Sequence, residues 1–448
     1  MTAPRLTYAE ALAAIESRGR YGIRLGLGRV RALLRELDHP EAAVRGALVA
    51  GTNGKGSVIA LAGSALRTAG YRIGETPKPH LVTYRERIVV DGRPIAADAF
   101  ATLVGEVLPV ADRIAPRQGQ PTEFELLTAV MFLHFARSRL DLALVEVGLG
   151  GRLDATNAWD GGVAVLTNVG LDHVAQLGPT VAAIAREKVR IVKRGDVAVT
   201  GADGEALAIM RRRCARLGVP LEVRAPARIL GWDRDALRVE LPGLGPVDVG
   251  LRGRHQAANV AVADGLLDAL EAAGLATVSP DARRRGYATA RWPGRLELLD
   301  VEGREVLLDG AHNADGAHSL AQALDDLGPF LRPGPPVIVW AAMADKDIEA
   351  TVRAVAASPA IEGATVLCTA VDAARALAPD ELAKAWRAGA DALGRAVHVR
   401  VAATPAAALD EALGRGDGPI VVAGSLYLVG AARSRLVDDP LLRDPVAT

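Results

Sequence analysis

The stretch Gly51-Thr52-Asn53-Gly54-Lys55-Gly56-Ser57 holds residue types that together can bind the phosphates of a nucleotide. Glycines expose backbone N–H groups to phosphate oxygens, and a following helix adds the positive end of its dipole. The Lys55 ammonium reaches the terminal phosphates, and the Ser57 hydroxyl is placed to ligate Mg²⁺. The spacing is a shortened relative of the usual phosphate loop, and a tight glycine turn with a surface lysine is the plainer alternative. A second chemical stretch is Asp141 to Val147, an apolar strand pattern that carries Glu146 at its far end, ahead of Gly148-Leu149-Gly150-Gly151. A carboxylate in that setting is costly unless it meets a cation or several hydrogen bonds. Glu146 is therefore a candidate Mg²⁺ ligand, with loop bracing as the alternative. The next apolar run, Val163 to Asn168, delivers Gly170-Leu171-Asp172-His173, where a loop can aim one of two neighbouring side chains at a metal.

Lysine is used sparingly in this chain. Lysine occurs only at 55, 78, 188, 193, 346 and 384, and arginine supplies every other basic side chain. Arginine cannot act as a compact or deprotonated amine, so each lysine merits separate inspection. Lys78 lies between prolines in Thr76-Pro77-Lys78-Pro79-His80, a segment held extended and irregular. Such a loop either brings Lys78 and His80 to the phosphates or is a solvated surface turn. Lys188 sits on a helical pattern that starts at Thr180, and Lys193 reads as solvent-facing.

These residues need strands that end at one edge and helices that return the chain. Ala47-Leu48-Val49 leads into the phosphate loop, and Val58 to Arg67 reads as the helix after it. Residues 7–37 read as two helices joined by a glycine-containing turn. A helical pattern from 96 to 108 precedes a longer one in which Thr122 is the N-cap and Glu125 occupies the capping-box position. That gives Glu125 a structural role first. Alternating strands and helices as far as Val197–Thr200 predict a largely parallel sheet with its site along one edge. Short runs at 221–223, 237–239 and 247–251 predict a small antiparallel addition. Trp292-Pro293-Gly294-Arg295 marks the expected boundary, which divides the chain into domains 1–295 and 296–448. Beyond it, strand patterns at 306–309, 337–340, 365–368, 397–399 and 419–423 predict a second, doubly wound α/β sheet.

Composition agrees with two ordered globular domains. The chain has 448 residues, of which 50% are apolar and 24% charged, enough for more than one core. Lys and Arg together number 53, as do Asp and Glu, so no global field points to nucleic acid or an anionic membrane. Cys214 and Cys368 lack metal-ligand spacing and read as buried thiols in a reducing compartment. The N-terminal stretch has no apolar signal core and no segment reads as a membrane span, so a cytoplasmic location is expected.

Six motifs occur together in the order found in one family: the phosphate loop at 51–57; Glu146 to Asn157; His255-Gln256 with Asn259; Trp292 to Arg295; Asp309-Gly310-Ala311-His312-Asn313; and Asp345-Lys346-Asp347. With Gly26-Leu27-Gly28-Arg29-Val30 ahead of the loop, nearly the whole chain resembles the folylpolyglutamate synthase/dihydrofolate synthase family of the Mur-ligase superfamily. The resemblance implies a Mur-ligase-like P-loop ATPase domain followed by a Rossmann-like α/β domain. It also implies ATP-dependent amide formation, in which a substrate carboxylate is phosphorylated and the glutamate amine attacks the acyl phosphate. The substrates implied are 7,8-dihydropteroate or a reduced folate together with L-glutamate.

Carried onto this chain, the resemblance implies that Gly51, Thr52, Asn53, Gly54, Lys55, Gly56 and Ser57 bind the ATP phosphates. Two Mg²⁺ sites would draw on Ser57, Glu146, His173 and Lys188, the last carrying a CO₂-derived carbamate. Asn259, Arg295, Asp309, His312 and Asn313 are expected at the nucleotide. Lys78, His80, Thr122, Phe124, Glu125, Arg152 and Asp154 are expected on the pterin or carboxylate side, and Asp345, Lys346 and Asp347 near ribose or glutamate. The chain departs from the family at Lys78, where a serine is common, at Val189-Arg190 after the key lysine, and at Ala314 in place of a proline. Lys78 is expected to act as a positive group on phosphate or substrate carboxylate. A monomer acting on small molecules, without nucleic acid or membrane, fits this reading. The competing expectations are a ligase with only one of the two activities, dihydrofolate synthase or folylpolyglutamate synthase, then a peptidoglycan amino-acid ligase of the same superfamily, and a regulatory nucleotide-binding ATPase.

Overall fold

The phosphate-loop strand is short and wholly apolar, and a strand of that kind is stable only when both faces are covered. In the computed structural model, which describes residues 6–22, 24–373 and 375–445, it becomes β1 (Gly46–Ala50), buried along its full length. Its sheet also contains β2 (Ile73–Thr76), β3 (Val89–Val90), β4 (Arg93–Pro94), β5 (Leu142–Glu146), β6 (Gly162–Leu166), β7 (Val197–Thr200) and β8 (Leu221–Val223). The order is β4-β3-β2-β5-β1-β6-β7-β8. From β2 to β8 every pairing is parallel, and β3 and β4 close one edge antiparallel. Parallel order places the exits of β2, β5, β1 and β6 side by side at one sheet edge, where open α/β sheets bind ligands.

The helix Lys55–Thr68 is buried from Ser57 through Leu66, so helices and sheet cover it on nearly all sides. The helix Pro280–Thr289 packs so closely on it that a Cβ on Gly286 would lie 2.3 Å from Ala65 Cα. On the other side of the core, Trp159 donates from Nε1 to Val44 O at 2.9 Å and packs on Phe132 with ring centroids 5.8 Å apart. Burying side chains of this size stabilises the unit by roughly 1.5–3 kcal/mol each.

Three further strands, β9 (Arg228–Trp232), β10 (Leu237–Leu241) and β11 (Gly245–Val249), form an antiparallel sheet of their own. The last sheet holds β12 (Glu297–Val301), β13 (Arg304–Leu308), β14 (Val337–Trp340), β15 (Thr365–Cys368), β16 (His398–Val401) and β17 (Ile420–Ala423). Its order is β12-β13-β17-β14-β15-β16, parallel except for the β12–β13 hairpin. The exits of β13, β17 and β14 are therefore neighbours.

The chain packs as two compact units, neither of them continuous. One holds the described residues up to Ala227, then Ala258–Ala290 and those from Leu441; the other holds Arg228–Ala257 and Arg291–Pro440. The continuous ranges 1–295 and 296–448 expected from the sequence differ from this division. Residues 228–257 belong with the later strands because their side chains are fixed there. Trp232 Nε1 donates to Asp326 O at 3.0 Å, Arg254 pairs with the Asp326 carboxylate at 2.6 Å, and Arg234 pairs with Glu305 at 2.9 Å. Two smaller expectations also change. Leu221–Val223 extends the parallel sheet instead of joining the antiparallel one, and β9 is an added strand. Lys193 is not solvent-facing: its Nζ donates to Trp159 O at 2.7 Å.

Candidate active site

The phosphate loop bends sharply at Gly54, whose φ of 81° favours glycine. A Cβ there would also lie 2.2 Å from Asn259 Oδ1, so the turn packs directly against the Asn259 side chain. The loop is tied to the exit of β6 by short bonds. Thr167 Oγ1 donates to Asn53 O at 2.6 Å, Asn53 N donates to Asn168 Oδ1 at 2.9 Å, and Gly170 N donates to Thr52 Oγ1 at 3.0 Å. Thr167 and Asn168 carry no motif of their own, and their place at a strand exit is their one signal in the sequence.

Three lysines converge on this loop and on Glu146. Lys55 Nζ donates to Gly51 O at 3.2 Å and Thr52 O at 3.1 Å, and lies 3.9 Å from Glu146 Oε1. Lys188 Nζ donates to the same Gly51 oxygen at 2.8 Å. Lys78 donates from its backbone N–H to Glu146 Oε2 at 3.0 Å and from Nζ to Glu146 O at 2.6 Å, with Nζ 4.5 Å from the Phe124 ring centre. Glu146 is thus held by Lys78 and faced by Lys55, a buried carboxylate compensated as its position requires.

The crowding perturbs the amines. Burial, followed by the charge of Lys55, pushes Lys188 down to about 7, against the opposing pull of Asp172 and Asp154. Burial likewise brings Lys78 down to about 8; Asp154 and Glu146 favour its charged form, and Arg87 and Lys55 oppose it. Near neutral pH a substantial share of Lys188 is therefore a free amine, the form that reacts with electrophiles. Ser57 is buried in the first helical turn. His173 takes a left-handed φ of 49° just after Asp172, with its Nε2 3.6 Å from Asp172 Oδ2.

Beyond Glu146 the chain walls a cavity of about 390 Å³ lined by Arg24, Leu25, Thr122, Phe124, Glu125, Leu149, Asp154 and neighbours. The expected capping box is present: Thr122 N donates to Glu125 Oε2 at 2.8 Å and Glu125 N donates to Thr122 Oγ1 at 3.3 Å. Arg29 Nε also donates to Glu125 Oε2, at 2.9 Å, whereas Glu125 Oε1 is buried without a hydrogen-bond partner among the described residues. Asp154 accepts from Gly148 N, Leu149 N, Thr156 N and Thr156 Oγ1, so it shapes the cavity rim as a loop brace. Arg152 is more than half exposed and lies 3.6 Å from Glu187.

His80 accepts on Nδ1 from Arg87 Nε at 2.8 Å and packs on Tyr84; burial and the Arg87 charge push it down to about 3. Tyr84 OH and Arg87 both reach Glu123 Oε1, at 3.1 and 3.5 Å. This Arg87–Glu123–Tyr84 set was missed from sequence. Its only local signal is the Thr83–Glu86 capping box, which fixes the turn.

The second unit gathers its own expected residues at neighbouring strand exits. Asp309 accepts from Leu296 N and Ala311 N at 2.9 Å each, and burial raises its pKa against the charge of Arg295. His312 Nδ1 is 2.8 Å from Gly310 O, and Asn313 caps the helix Ala314–Leu327 through Gly316 N at 2.8 Å. At the exit of β14, Asp345 pairs with Arg375 at 2.8 Å, Lys346 lies in the same turn, and Asp347 caps the helix Ile348–Ala356.

Comparison with known proteins gives this geometry a family. Residues 49–267 match the Mur ligase middle domain, and residues 294–426 match the Mur ligase glutamate ligase domain. The chain is 36% identical over 357 residues to a dihydrofolate synthase/folylpolyglutamate synthase of Bacillus subtilis, covering 77% of this chain and 82% of that one. A Mycobacterium tuberculosis folylpolyglutamate synthase solved with ADP and AMPPCP superposes with a TM-score of 0.84 at 31% identity, covering 97% of this chain and all of that one. An E. coli FolC solved with DHPP and ADP gives 0.78 at 28% identity, over 96% and 98% of the two chains. With both domain models matched in order and relatives aligned over most of their length, the chain belongs to the dihydrofolate synthase/folylpolyglutamate synthase family of Mur ligases.

Proposed function

We propose that this chain ligates L-glutamate to 7,8-dihydropteroate and to reduced folates, using ATP and passing through an acyl phosphate. The observation that carries the reading is the convergence of Lys55, Lys78 and Lys188 on the phosphate loop and Glu146, beside a cavity of about 390 Å³ that shares Phe124 and Asp154 with this cluster. The relatives' names and the nucleotide-bound neighbours support it.

In this reading the loop amides and Lys55 hold the β- and γ-phosphates. The pterin enters the cavity past Phe124 and presents its carboxylate toward Lys78 and the γ-phosphate. Both reactants are anionic, so the lysine cluster offsets the repulsion that would keep them apart. Among the described residues no group of three or more His, Cys, Asp and Glu side chains forms a ready metal cage. The donors proposed are instead the Ser57 hydroxyl, the Glu146 carboxylate, His173 and Lys188, a mainly hard oxygen set suited to Mg²⁺ that nucleotide phosphates would complete. Mg²⁺ supplies Lewis-acid stabilisation of phosphoryl charge. Lys188 fits a carbamate because its amine is buried and pushed down to about 7. Carboxylation also leaves one N–H on Nζ, enough to keep the bond to Gly51 O.

Product analysis with ATP, Mg²⁺ and L-glutamate, comparing dihydropteroate with a reduced folate monoglutamate, tests the reading. Glutamylated product from both is expected. Product from dihydropteroate alone restricts the chain to dihydrofolate synthesis, and product from neither defeats the proposal.

A further inference from the structure

The helical turn Tyr84–Arg87 follows a loop that begins at Lys78 and joins β2 to β3. Glu86 knits it internally, accepting from the amides of Leu81, Val82 and Thr83 at 3.1, 2.7 and 2.7 Å. One end of this loop presents Lys78 to Glu146, and the other presents Arg87 to His80 and Glu123. Between them lie Thr83 and Arg85, with Arg85 6% exposed and Thr83 1% exposed.

A buried guanidinium needs an anion, because its desolvation is not repaid by neutral acceptors alone. Arg85 Nη1 is 3.4 Å from Ile95 O and Nη2 donates to Arg443 O at 2.8 Å, and both of these are carbonyls. Among the described residues its carboxylate partner is Asp444, at 3.1 Å from Nε. Thr83 Oγ1 donates to the same Asp444 oxygen at 2.6 Å, so the Tyr8 hydroxyl, 3.1 Å from Thr83 Oγ1, is left as donor to it. A segment more than 350 positions away in the chain thus supplies the carboxylate that ties the Arg85 and Thr83 side chains in the middle of the loop.

We propose that Asp444 is a positioning residue, and that the segment 441–445 is a strap whose carboxylate locks Arg85 and Thr83 and so sets the loop presenting Lys78, His80 and Arg87. The claim that this loop matters for the pteroate side rests on the function proposed above; the strap itself does not. Asp444 touches neither the phosphate loop nor the cavity lining, so its effect passes through the loop.

The full chain and its Asp444→Ala, Asp444→Asn and Asp444→Glu variants are compared by hydrogen exchange and by steady-state kinetics. Asp444→Asn keeps the shape and one oxygen acceptor while removing the charge, which guards against an Ala variant that fails to fold. Asp444→Asn is expected to speed exchange of the amides from Leu81 to Ile88 about tenfold or more, with the helix Lys55–Thr68 unchanged. The KM for dihydropteroate is expected to rise about tenfold, the KM for ATP to stay within about twofold, and Asp444→Glu to recover most of both. Unchanged exchange in the loop overturns the strap, as does exchange raised equally throughout the unit. Faster loop exchange with an unchanged dihydropteroate KM overturns the positioning role. If the unsubstituted protein glutamylates neither substrate, the function falls, and the exchange comparison still decides the strap.

Discussion

Gly151→Ala tests whether the glycine run after β5 serves as the seat for Lys188. Gly151 is buried, and a Cβ on it would lie 2.9 Å from Glu187 O, 2.9 Å from Lys188 O and 3.0 Å from Lys188 Cα. All three atoms are backbone, so no flexible side chain can swing aside. Ordinary contact for such atoms is near 3.5 Å, so the end of the helix Val181–Lys188 must retreat by about 0.5 Å. Forced overpacking of this kind costs about 1–3 kcal/mol. At about 2 kcal/mol the melting temperature falls by roughly 4–8 °C. The same retreat stretches the 2.8 Å bond from Lys188 to Gly51 O and the 3.0 Å bond from Arg152 N to Glu187 O. Mispositioning on this scale costs on the order of tenfold in turnover. Gly195→Ala is the control: its φ of 87° gives backbone strain of about 1 kcal/mol, yet nothing lies within 4 Å of the added Cβ. Thermal melting and turnover at saturating ATP are measured on both variants. A Gly151→Ala protein with unchanged melting and turnover, or a Gly195→Ala protein that loses activity equally, refutes the reasoning.

Lys188→Arg keeps a cation but cannot form a carbamate, so carbon-labelled bicarbonate should give a carbamate NMR signal in the unsubstituted protein and none in the variant; a signal in both assigns it elsewhere. Lys78→Ser removes the bond from Nζ to Glu146 O and the contact with Phe124. The KM for dihydropteroate should rise about tenfold, as for loss of a charged hydrogen bond, and an unchanged KM would leave Lys78 as a brace of Glu146 only. Acid should destabilise the chain earlier than its carboxylates alone predict, because burial holds His80 down to about 3 and His255 down to about 4, against 6.5 for the free side chain. Both folded values lie below the unfolded one, so the unfolded chain takes up protons first. The stability these two histidines contribute is whole well above pH 6.5 and is lost as pH falls through it, along a slope that approaches about 1.4 kcal/mol per pH unit for each histidine. Urea midpoints between pH 7 and 5.5 should show this slope, and His80→Gln should flatten it; identical profiles would remove His80 as the cause.

What could be read from the sequence was local. The phosphate loop, the acid ending β5 and the Thr122–Glu125 box each lie within a few residues, where one turn or one strand exit decides the geometry. The cavity was only half legible, because Phe124 and Asp154 stand in motifs while Arg24 and Leu25 come from an irregular segment without period. The strand β9 alternates between exposed and partly buried positions on a small sheet, so its apolar signal is weak. The burial of Lys193 is not legible locally, because its acceptor, Trp159 O, lies 34 positions away. Asp444 was invisible for the same reason on a larger scale, since no sequence period links it to Arg85.

The division of the chain also limits how this protein can be recombined. The path changes unit after 227, 257, 290 and 440, so a single crossover at the Pro293-Gly294 motif does not exchange one module for another. A hybrid joined there would keep Trp232, Arg234 and Arg254 from one parent and ask them to fit Asp326 and Glu305 from the other. It would also import a foreign residue opposite Arg85. A workable hybrid must transfer 228–257 together with 291–440 and leave the final segment with its original parent. The transferable module of this chain is therefore a set of interleaved segments rather than a contiguous half.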